Sequence, residues 1–400
     1  MGKVVVVGGG QAAASCVARL RSKGFDGRIT LVGEEPVPPY QRPPLSKAYL
    51  LGDMAEERLY LRPQSYYDDN AIDLRLNAKA TGIDRAAKMV MAGGEALAYD
   101  DLVLCTGSLP RRLPAAIGGD LGGVYTVRTL ADVDAMQPVC SSGKRVLVVG
   151  GGYIGLEAAA VCSKLGLTVT LVEAAERILQ RVAAPETSDV FRDLHRGHGV
   201  DLREGVGLTR LTGGDHVTGA ELSDGSTLDV DLVIVGVGIT PAQDLAEAAG
   251  LEILNGIAVD AQGRCSDPAI WAAGDCASFP HGAGRIRLES VGNALDMGEL
   301  VADNIMGGGR DYTAKPWFWS DQYDVKLQIA GLNTGYDRVV VRQDGEARSH
   351  WYFEADTLLA VDAINDPRGY MVGKRLIEAG KSPAPDALAD PQTELKALLR

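Results

Sequence analysis

Three features of the sequence predict an α/β protein that ends in a smaller α+β domain. A strand–glycine–helix–strand pattern opens the chain at 4–34 (VVVVGGGQAAASCVARLRSKGFDGRITLVGE) and recurs after Lys144, with its glycine turn at a constant offset of 142. Apolar runs ending in Thr-Gly, in glycine or in Gly-Asp follow the two copies, as buried parallel strands would. Beyond about Lys315 the pattern changes to closely spaced alternating strands, the mark of an antiparallel sheet. The expected architecture is therefore two Rossmann-type dinucleotide-binding domains plus a C-terminal α+β domain with an antiparallel sheet.

In the first copy the apolar run 4–7 feeds Gly8, Gly10 and Ala13, the G-x-G-x-x-G/A spacing. The first glycine permits a tight turn, and the second leaves bare backbone for a pyrophosphate. The third small residue lets the helix pack closely on the sheet. Gln11 and Ala12 open that helix, whose free N–H groups and positive dipole end suit phosphate. Glu34 is expected to close the next strand, where a carboxylate accepts hydrogen bonds from ribose hydroxyls.

Composition sets the limits. Four hundred residues exceed one core and call for two or three domains. The 49 glycines, about 12% against a usual ~7%, suit many tight turns and phosphate loops. A net charge of −13 argues against nucleic acid or an anionic membrane as partner. No run approaches the ~18 apolar residues of a membrane span. The first strand begins at Lys3 and Val4, so no secretory leader is expected and the cytoplasm is the expected compartment. The six cysteines (16, 105, 140, 162, 265 and 276) form no C-x-x-C pair, so neither a redox dithiol nor a metal site is signalled. Cys16 and Cys162 in predicted helices, and Cys105 in a strand, read as small core residues.

After Glu34, the segment EPVPPYQRPPLSKAYLLGD reads as a proline-stiffened loop and a short helix that would hold Lys47 in one place. Residues 73–84 read as a strand, Ala92 to Glu95 as a hairpin, and 101–107 (DLVLCTG) as an apolar strand ending at Thr106 and Gly107. Pro110 and Pro114 mark the crossover to the second domain. There Gly150, Gly152 and Gly155 match Gly8, Gly10 and Ala13, with Tyr153 and Ile154 at the helix start and Glu173 at the end of the second strand. A carboxylate at that place bonds a 2′-hydroxyl and repels a 2′-phosphate, which favours NADH over NADPH; Arg177, four residues on, could blunt the preference. Glu157 lies in an alanine-rich helix expected to be buried. A buried carboxylate needs a cation, and Lys47 is the candidate.

HRGHG at 195–199 contains H-x-x-H with no further ligand nearby, so no metal is expected. Residues 217–229 read as a hairpin turning at Asp224-Gly225, and 231–238 as a buried strand. IWAAGD (270–275) should return the chain to the first domain. Its Gly274 allows close approach, and its Asp275 suits a sugar-alcohol hydroxyl. PWFWSDQY (316–323) is an aromatic cluster, followed by strands at 326–332, 338–342, 350–353 and 358–364 and a helix near 370–379. Residues 383–385 read as a linker, and Asp390-Pro391 as the cap of a last amphipathic helix.

With these residues in hand the chain resembles the FAD- and NADH-dependent ferredoxin reductases, the putidaredoxin reductase and aromatic-dioxygenase reductase group. The likeness spans nearly the whole length. It rests on PPLSKAYL (43–50), LVLCTG (102–107), VRTLAD (127–132), VVGGGYIGLE (148–157), WAAGDC (271–276), RLESVGNAL (287–295) and PWFWSDQYDVKLQIAGL (316–332). It implies a glutathione-reductase-like arrangement: an FAD-binding domain in two pieces (1–112 and 241–318), an NADH-binding domain (113–240) and a C-terminal domain (319–400).

The resemblance also implies site roles. Glu34 would meet the adenosine ribose, and Arg42, Lys47, Ala80 and Arg128 would surround FAD together with Thr106, Gly107 and Gly274. Asp275 would bind the ribitol chain and Val291 would lie near the isoalloxazine. Trp319 would pack at the flavin–nicotinamide site, open to the ferredoxin. Gly150, Gly152, Tyr153, Ile154, Gly155 and Glu173 would bind NADH, with Gly238 and Glu289 near its nicotinamide half. Ala80 stands where related chains often carry valine.

Lys47, paired with Glu157, would hold positive charge at the flavin while electrons pass from NADH through FAD to a [2Fe–2S] ferredoxin. That ferredoxin would supply a monooxygenase or dioxygenase, the reductase being a monomer or weak dimer. Arg287, Arg310, Lys315 and Lys326 are dispersed candidates for docking an acidic ferredoxin, in a salt-sensitive way. Two other readings stay open. A disulfide or peroxide reductase needs a reactive cysteine on the segment RPPLSK, and none lies between Cys16 and Cys105. An NADH-binding redox sensor or signalling protein would reduce no ferredoxin.

Overall fold

The computed structural model describes residues 2–400. The chain forms two compact units, one of Met1–Arg42, Ala55–Leu109 and Ile239–Pro316, the other of Pro43–Met54, Pro110–Gly238 and Trp317–Arg400. The Lys47 segment, placed by the sequence with the first domain, thus belongs to the second unit.

The first unit is built on a five-stranded parallel sheet in the order Ile270–Ala272, Asp101–Leu104, Lys3–Val7, Arg28–Val32, Ile72–Arg75. The central strand has neighbours on both sides and Val4 to Val7 are all buried, which is why it reads as an unbroken apolar run. Helix Gln11–Ser22 packs on helix Val291–Ile305. A Cβ on Gly298 would sit 2.4 Å from the Ala12 carbonyl oxygen, so the two helices approach backbone to backbone there. The run 73–84 is not one strand. Ile72–Arg75 belongs to the parallel sheet and Ala80–Asp84 to a separate antiparallel one, because Asn77 turns the chain between them at a left-handed φ of 51°. The second sheet continues through Met89–Ala92 and Glu95–Ala98, joined by Gly93 and Gly94, both at positive φ.

The second unit repeats the parallel arrangement, in the order Asp201–Glu204, Thr168–Glu173, Arg145–Val149, Leu232–Val235, Val124–Tyr125. It adds a five-stranded antiparallel sheet in the order Trp317–Gln322, Val325–Gly331, Thr357–Ile364, Ala347–Glu354, Arg338–Asp344, against which helix Pro367–Glu378 packs. The aromatic cluster at 316–323 is therefore an edge strand. Ser320 and Gln322 lie on its buried face, whereas Trp317, Trp319 and Asp321 are half-exposed.

Two C-terminal expectations fail. Pro385 starts a short helix, Pro385–Ala389, instead of lying in a linker, and buries Leu388 completely. No amphipathic helix follows Asp390. Its carboxylate accepts only from Gln392 N–H and Thr393 Oγ1, and the chain ends in a 3₁₀ stretch, Leu395–Leu399. The reason is Arg342, whose guanidinium takes the carbonyls of Asp390, Pro391 and Thr393 that such a helix would need for its own hydrogen bonds. All six cysteines are buried and unpaired by disulfides. Cys16 and Cys162 lie in helices, and Cys105 directly follows its strand.

Candidate active site

In the first glycine turn, Gly8 has φ +142° and a Cβ there would lie 2.1 Å from the Cys105 carbonyl oxygen, so only glycine fits. Gly10 caps helix Gln11–Ser22 with no side-chain hydrogen bond and no acid in the first turn. A Cβ on Gly9 or Gly10 would meet nothing within 4 Å. The second turn has the same construction. Gly150, at φ +108°, presses on the Gly236 carbonyl, and Gly152 caps helix Tyr153–Lys164 with no side chain and no acid beside open space. A Cβ on Gly155 would come within 2.0 Å of the Gly150 carbonyl oxygen, so that glycine closes the helix onto its own turn. Both helices thus keep N–H donors without partners next to bare backbone, a cradle that fits the pyrophosphate of a dinucleotide.

The acids after the second strands differ. Glu173 ends Thr168–Glu173 and accepts hydrogen bonds from Gly151 N–H at 2.7 Å and Ala175 N–H at 2.8 Å. Arg177 does not oppose it, since its guanidinium donates to Ser188 Oγ at 2.6 Å and to the Ala183 carbonyl at 2.8 Å. In the first copy the strand ends at Val32. Val7 pairs with Val32 as Val149 pairs with Val172, so Gly33 occupies the place of Glu173 and Glu34 lies one position farther on. The Glu34 side chain is 63% exposed and paired with Lys79 at 2.8 Å. Glu35, which the sequence marks only as its neighbour, turns inward to Arg42 Nη2 (2.7 Å) and the Tyr40 hydroxyl (2.6 Å).

Elsewhere in the first unit, Ser108 donates to the Asp275 carboxylate at 2.9 Å, and Gly274 lies at φ +83° against Ala12. Thr106 donates to the Ala242 carbonyl, Ala80 opens its strand half-buried, and Val291 begins a helix capped by Ser290. Glu289 is paired with Arg287 at 2.6 Å. In the second unit, Arg128 precedes the capping box of Thr129 and Asp132, and Gly238 sits at φ +101° facing Arg111 and Arg181.

Lys47 and Glu157 do meet. Lys47 Nζ is 2.8 Å from Glu157 Oε2, Ser46 Oγ donates to the same oxygen at 2.6 Å, and Ser320 Oγ donates to Oε1 at 2.7 Å. Glu157 is 1% exposed, and burial raises its pKa above the usual carboxylate range. Lys47 is first among the groups that resist that rise, followed by Ser46 and Ser320. The two serines carry no sequence signal beyond Ser46 adjoining Lys47. Trp319, on the other side of the Ser320 strand, stacks on Trp317 with centroids 5.6 Å apart and planes at 20°.

Residues 2–298 match the family described as pyridine nucleotide-disulphide oxidoreductase, and residues 317–399 match the reductase C-terminal family. The chain belongs to the pyridine nucleotide-disulphide oxidoreductases. It is 45% identical to a ferredoxin–NAD(P)(+) reductase of a Sphingomonas species, over 98% of this chain and 96% of that one. It is 41% identical to putidaredoxin reductase of Pseudomonas putida, over 99% of this chain and 96% of the relative. The structure of a covalent putidaredoxin reductase–putidaredoxin complex matches it with a TM-score of 0.96 at 40% identity, covering 100% of this chain and 98% of that one. Membership makes this oxidoreductase a flavoprotein that uses FAD and a nicotinamide dinucleotide, which its two glycine cradles fit. The expected fold, two dinucleotide-binding domains and a C-terminal antiparallel sheet, is the fold found.

The oxidoreductase carries no cysteine between Cys16 and Cys105, the stretch on which a disulfide reductase of this fold needs its reactive thiol. Its cysteines are buried, and burial alone pushes the Cys16 thiol up to about 12. The two histidines of the H-x-x-H motif have partners within the second unit: His195 is buried on Gln322 and His198 stacks on Tyr323. Among the described residues no group of three His, Cys, Asp or Glu could hold a metal ion. Nor, among those residues, is any helix long and apolar enough to cross a membrane. Of the docking cations expected, Arg287 is tied to Glu289 and Arg310 to Asp303, while Lys315 and Lys326 are exposed. The sequence reading did not mark a further basic group. Arg368 and Arg375, with Lys396, rim a groove of about 420 Å³ floored by Met371, Val372 and Leu399.

Proposed function

We infer that this chain is an NADH-dependent, FAD-containing reductase that delivers electrons to a [2Fe–2S] ferredoxin of a monooxygenase or dioxygenase system. The observation that carries the reading is the pair of Lys47 with the buried Glu157, braced by two serines, in a chain with two separate dinucleotide cradles. FAD, when bound, converts a two-electron hydride donor into single electrons for an iron–sulfur acceptor. The first turn and the dipole of helix Gln11–Ser22 hold the FAD pyrophosphate, and Asp275 takes a ribitol hydroxyl. Glu34, Arg42, Ala80 and Arg128 serve the rest of the cofactor. The second turn holds NADH, and Glu173 selects it over NADPH by repelling a 2′-phosphate. Lys47 supplies one positive charge to the reduced cofactor, and Glu157 fixes where that charge sits. In a site this dry the charge counts for far more than it would in water. Trp319 gives the electron exit a flat aromatic face, and the exposed cations supply the basic surface that an acidic ferredoxin needs. Six reduced cysteines suit the cytoplasm.

Anaerobic titration with NADH and NADPH, followed by cytochrome c reduction with and without added ferredoxin, tests the reading. Bleaching of a bound flavin by NADH and ferredoxin-dependent cytochrome c reduction are expected; a purified protein without flavin would end the proposal. Lys47→Met should slow flavin reduction roughly 100-fold in stopped-flow. Ferredoxin reduction should fall as ionic strength rises, and a flat rate across salt would remove the electrostatic docking.

A further inference from the structure

Strand Trp317–Gln322 turns Phe318, Ser320 and Gln322 toward helix Tyr153–Lys164, with the Phe318 ring 4.9 Å from that of Tyr153. Ser320 and Gln322 form a continuous hydrogen-bonded chain with two groups the site has not yet used. Gln322 Nε2 donates to Ser320 Oγ at 3.1 Å, His195 Nε2 lies 2.8 Å from Gln322 Oε1, and the Tyr323 hydroxyl is 3.4 Å from His195 Nδ1. Ser320, Gln322 and His195 are each 0% exposed, so water does not complete these bonds.

The direction of the chain follows from donor counting. Ser320 has one hydroxyl hydrogen, and the Glu157 carboxylate can only accept, so that hydrogen goes to Glu157. The oxygen of Ser320 must then accept from the amide NH₂ of Gln322. This turns the amide carbonyl toward His195 and places the imidazole hydrogen on Nε2. Nδ1 is left to accept from Tyr323. Burial pushes the His195 pKa down to about 4, which keeps the ring neutral through the working range. From His195 inward, every donor therefore points toward Glu157, and the dipoles add.

We propose that Ser320 and Gln322, backed by His195, are positioning residues that keep Glu157 ionised and so hold Lys47 where the hydride step needs it. The inference rests on the reductase reading above. Four groups face Glu157: Lys47 and Ser46 from the 43–54 segment, Ser320 from the strand, and Tyr153 from its own helix. Lys47 is the only cation among them. Loss of one donor therefore moves Glu157 toward its protonated form, and Lys47 loses its anchor as pH falls. The same strand carries Trp319 on its other side, so the chain also fixes the register of that aromatic face.

The test compares the wild-type holoenzyme with Ser320→Ala, Ser320→Thr and Gln322→Leu. Flavin reduction by NADH is followed in stopped-flow from acid to alkaline pH. The Glu157 carboxylic-acid band, assigned with Glu157→Gln, is followed by infrared difference spectroscopy. Ser320→Ala should slow reduction about tenfold at neutral pH, the worth of one hydrogen bond to a charged group. It should also move the acid limb and the infrared titration to higher pH by about one unit. Ser320→Thr should restore both, and Gln322→Leu should move both the same way by about half as much. If Ser320→Ala does not fold, Gln322→Leu decides the question. An acid limb and band that stay in place, or a threonine that fails to rescue, overturn the proposal. If NADH reduces no form of the protein yet the band still moves in Ser320→Ala, the reductase reading fails while the positioning of Glu157 stands.

Discussion

The two glycine cradles share spacing, uncapped helices and open space at the turn, yet part company at the residue after Val32 and Val172, the last matched pair of their second strands. At the second cradle Glu173 stands there, locked to the turn by the Gly151 N–H. At the first, Gly33 stands there, and the acids are displaced to an exposed Glu34 and an inward Glu35 occupied by Arg42 and Tyr40. An acid held at one point by the turn itself can judge a ribose that comes and goes. A turn without one has no single judge, and its ligand must be held by many contacts over a longer stretch. On the function proposed above, the same motif would serve selection in one place and retention in the other.

Two matched substitutions should break the molecule in opposite ways, and these are the largest effects expected. Gly8→Ala forces a Cβ to 2.1 Å from the Cys105 carbonyl at a positive φ, and should yield protein that purifies without flavin and melts at lower temperature. Gly155→Ala forces its Cβ to 2.0 Å from the Gly150 carbonyl, and should leave the flavin bound while weakening NADH roughly 100-fold. Absorbance of the purified proteins and NADH titration read both outcomes. Loss of flavin from both variants would mean that the cradles do not have separate ligands. A smaller effect is expected at the judge itself: Glu173→Ala should cut the NADH-over-NADPH ratio of kcat/KM about tenfold, whereas Glu34→Ala should leave that ratio unchanged. An unchanged ratio in Glu173→Ala would place selection elsewhere.

What the sequence disclosed follows from how local each requirement is. The cradles were legible because a tight turn and a bare phosphate seat each demand glycine at a fixed spacing. The Lys47–Glu157 pair was legible despite its distance in sequence, since a carboxylate in an alanine-rich buried helix must find a cation. Ser320 and Gln322 were not legible, because their roles depend on which face of an edge strand meets the helix of Glu157. That Gly33, and not Glu34, follows the last paired residue of the first cradle was not legible, because strand register decides it and register belongs to the sheet. The tail was misread for a similar reason. Asp390-Pro391 is a sound helix start until Arg342, from a distant strand, takes the carbonyls.

The smallest expected effect gives the sharpest test of the comparison. Gly33 has no positive φ, and a Cβ there would find only Leu76 Cδ2 at 3.7 Å and the Arg75 carbonyl oxygen at 3.9 Å, ordinary contact distances. Glycine is therefore not required at that place by backbone or space, and Gly33→Glu should fold with little change in melting temperature. It installs in the first cradle the acid that the second one uses. If retention rests on many contacts, flavin content and the rate of flavin loss on dilution should change by no more than about twofold, well under ~1 kcal/mol. If one acid governs affinity in either cradle, the added carboxylate should instead slow flavin loss severalfold by gaining a ribose hydroxyl. Fluorescence of released flavin distinguishes the two, and the second outcome would erase the division between a selecting and a retaining turn.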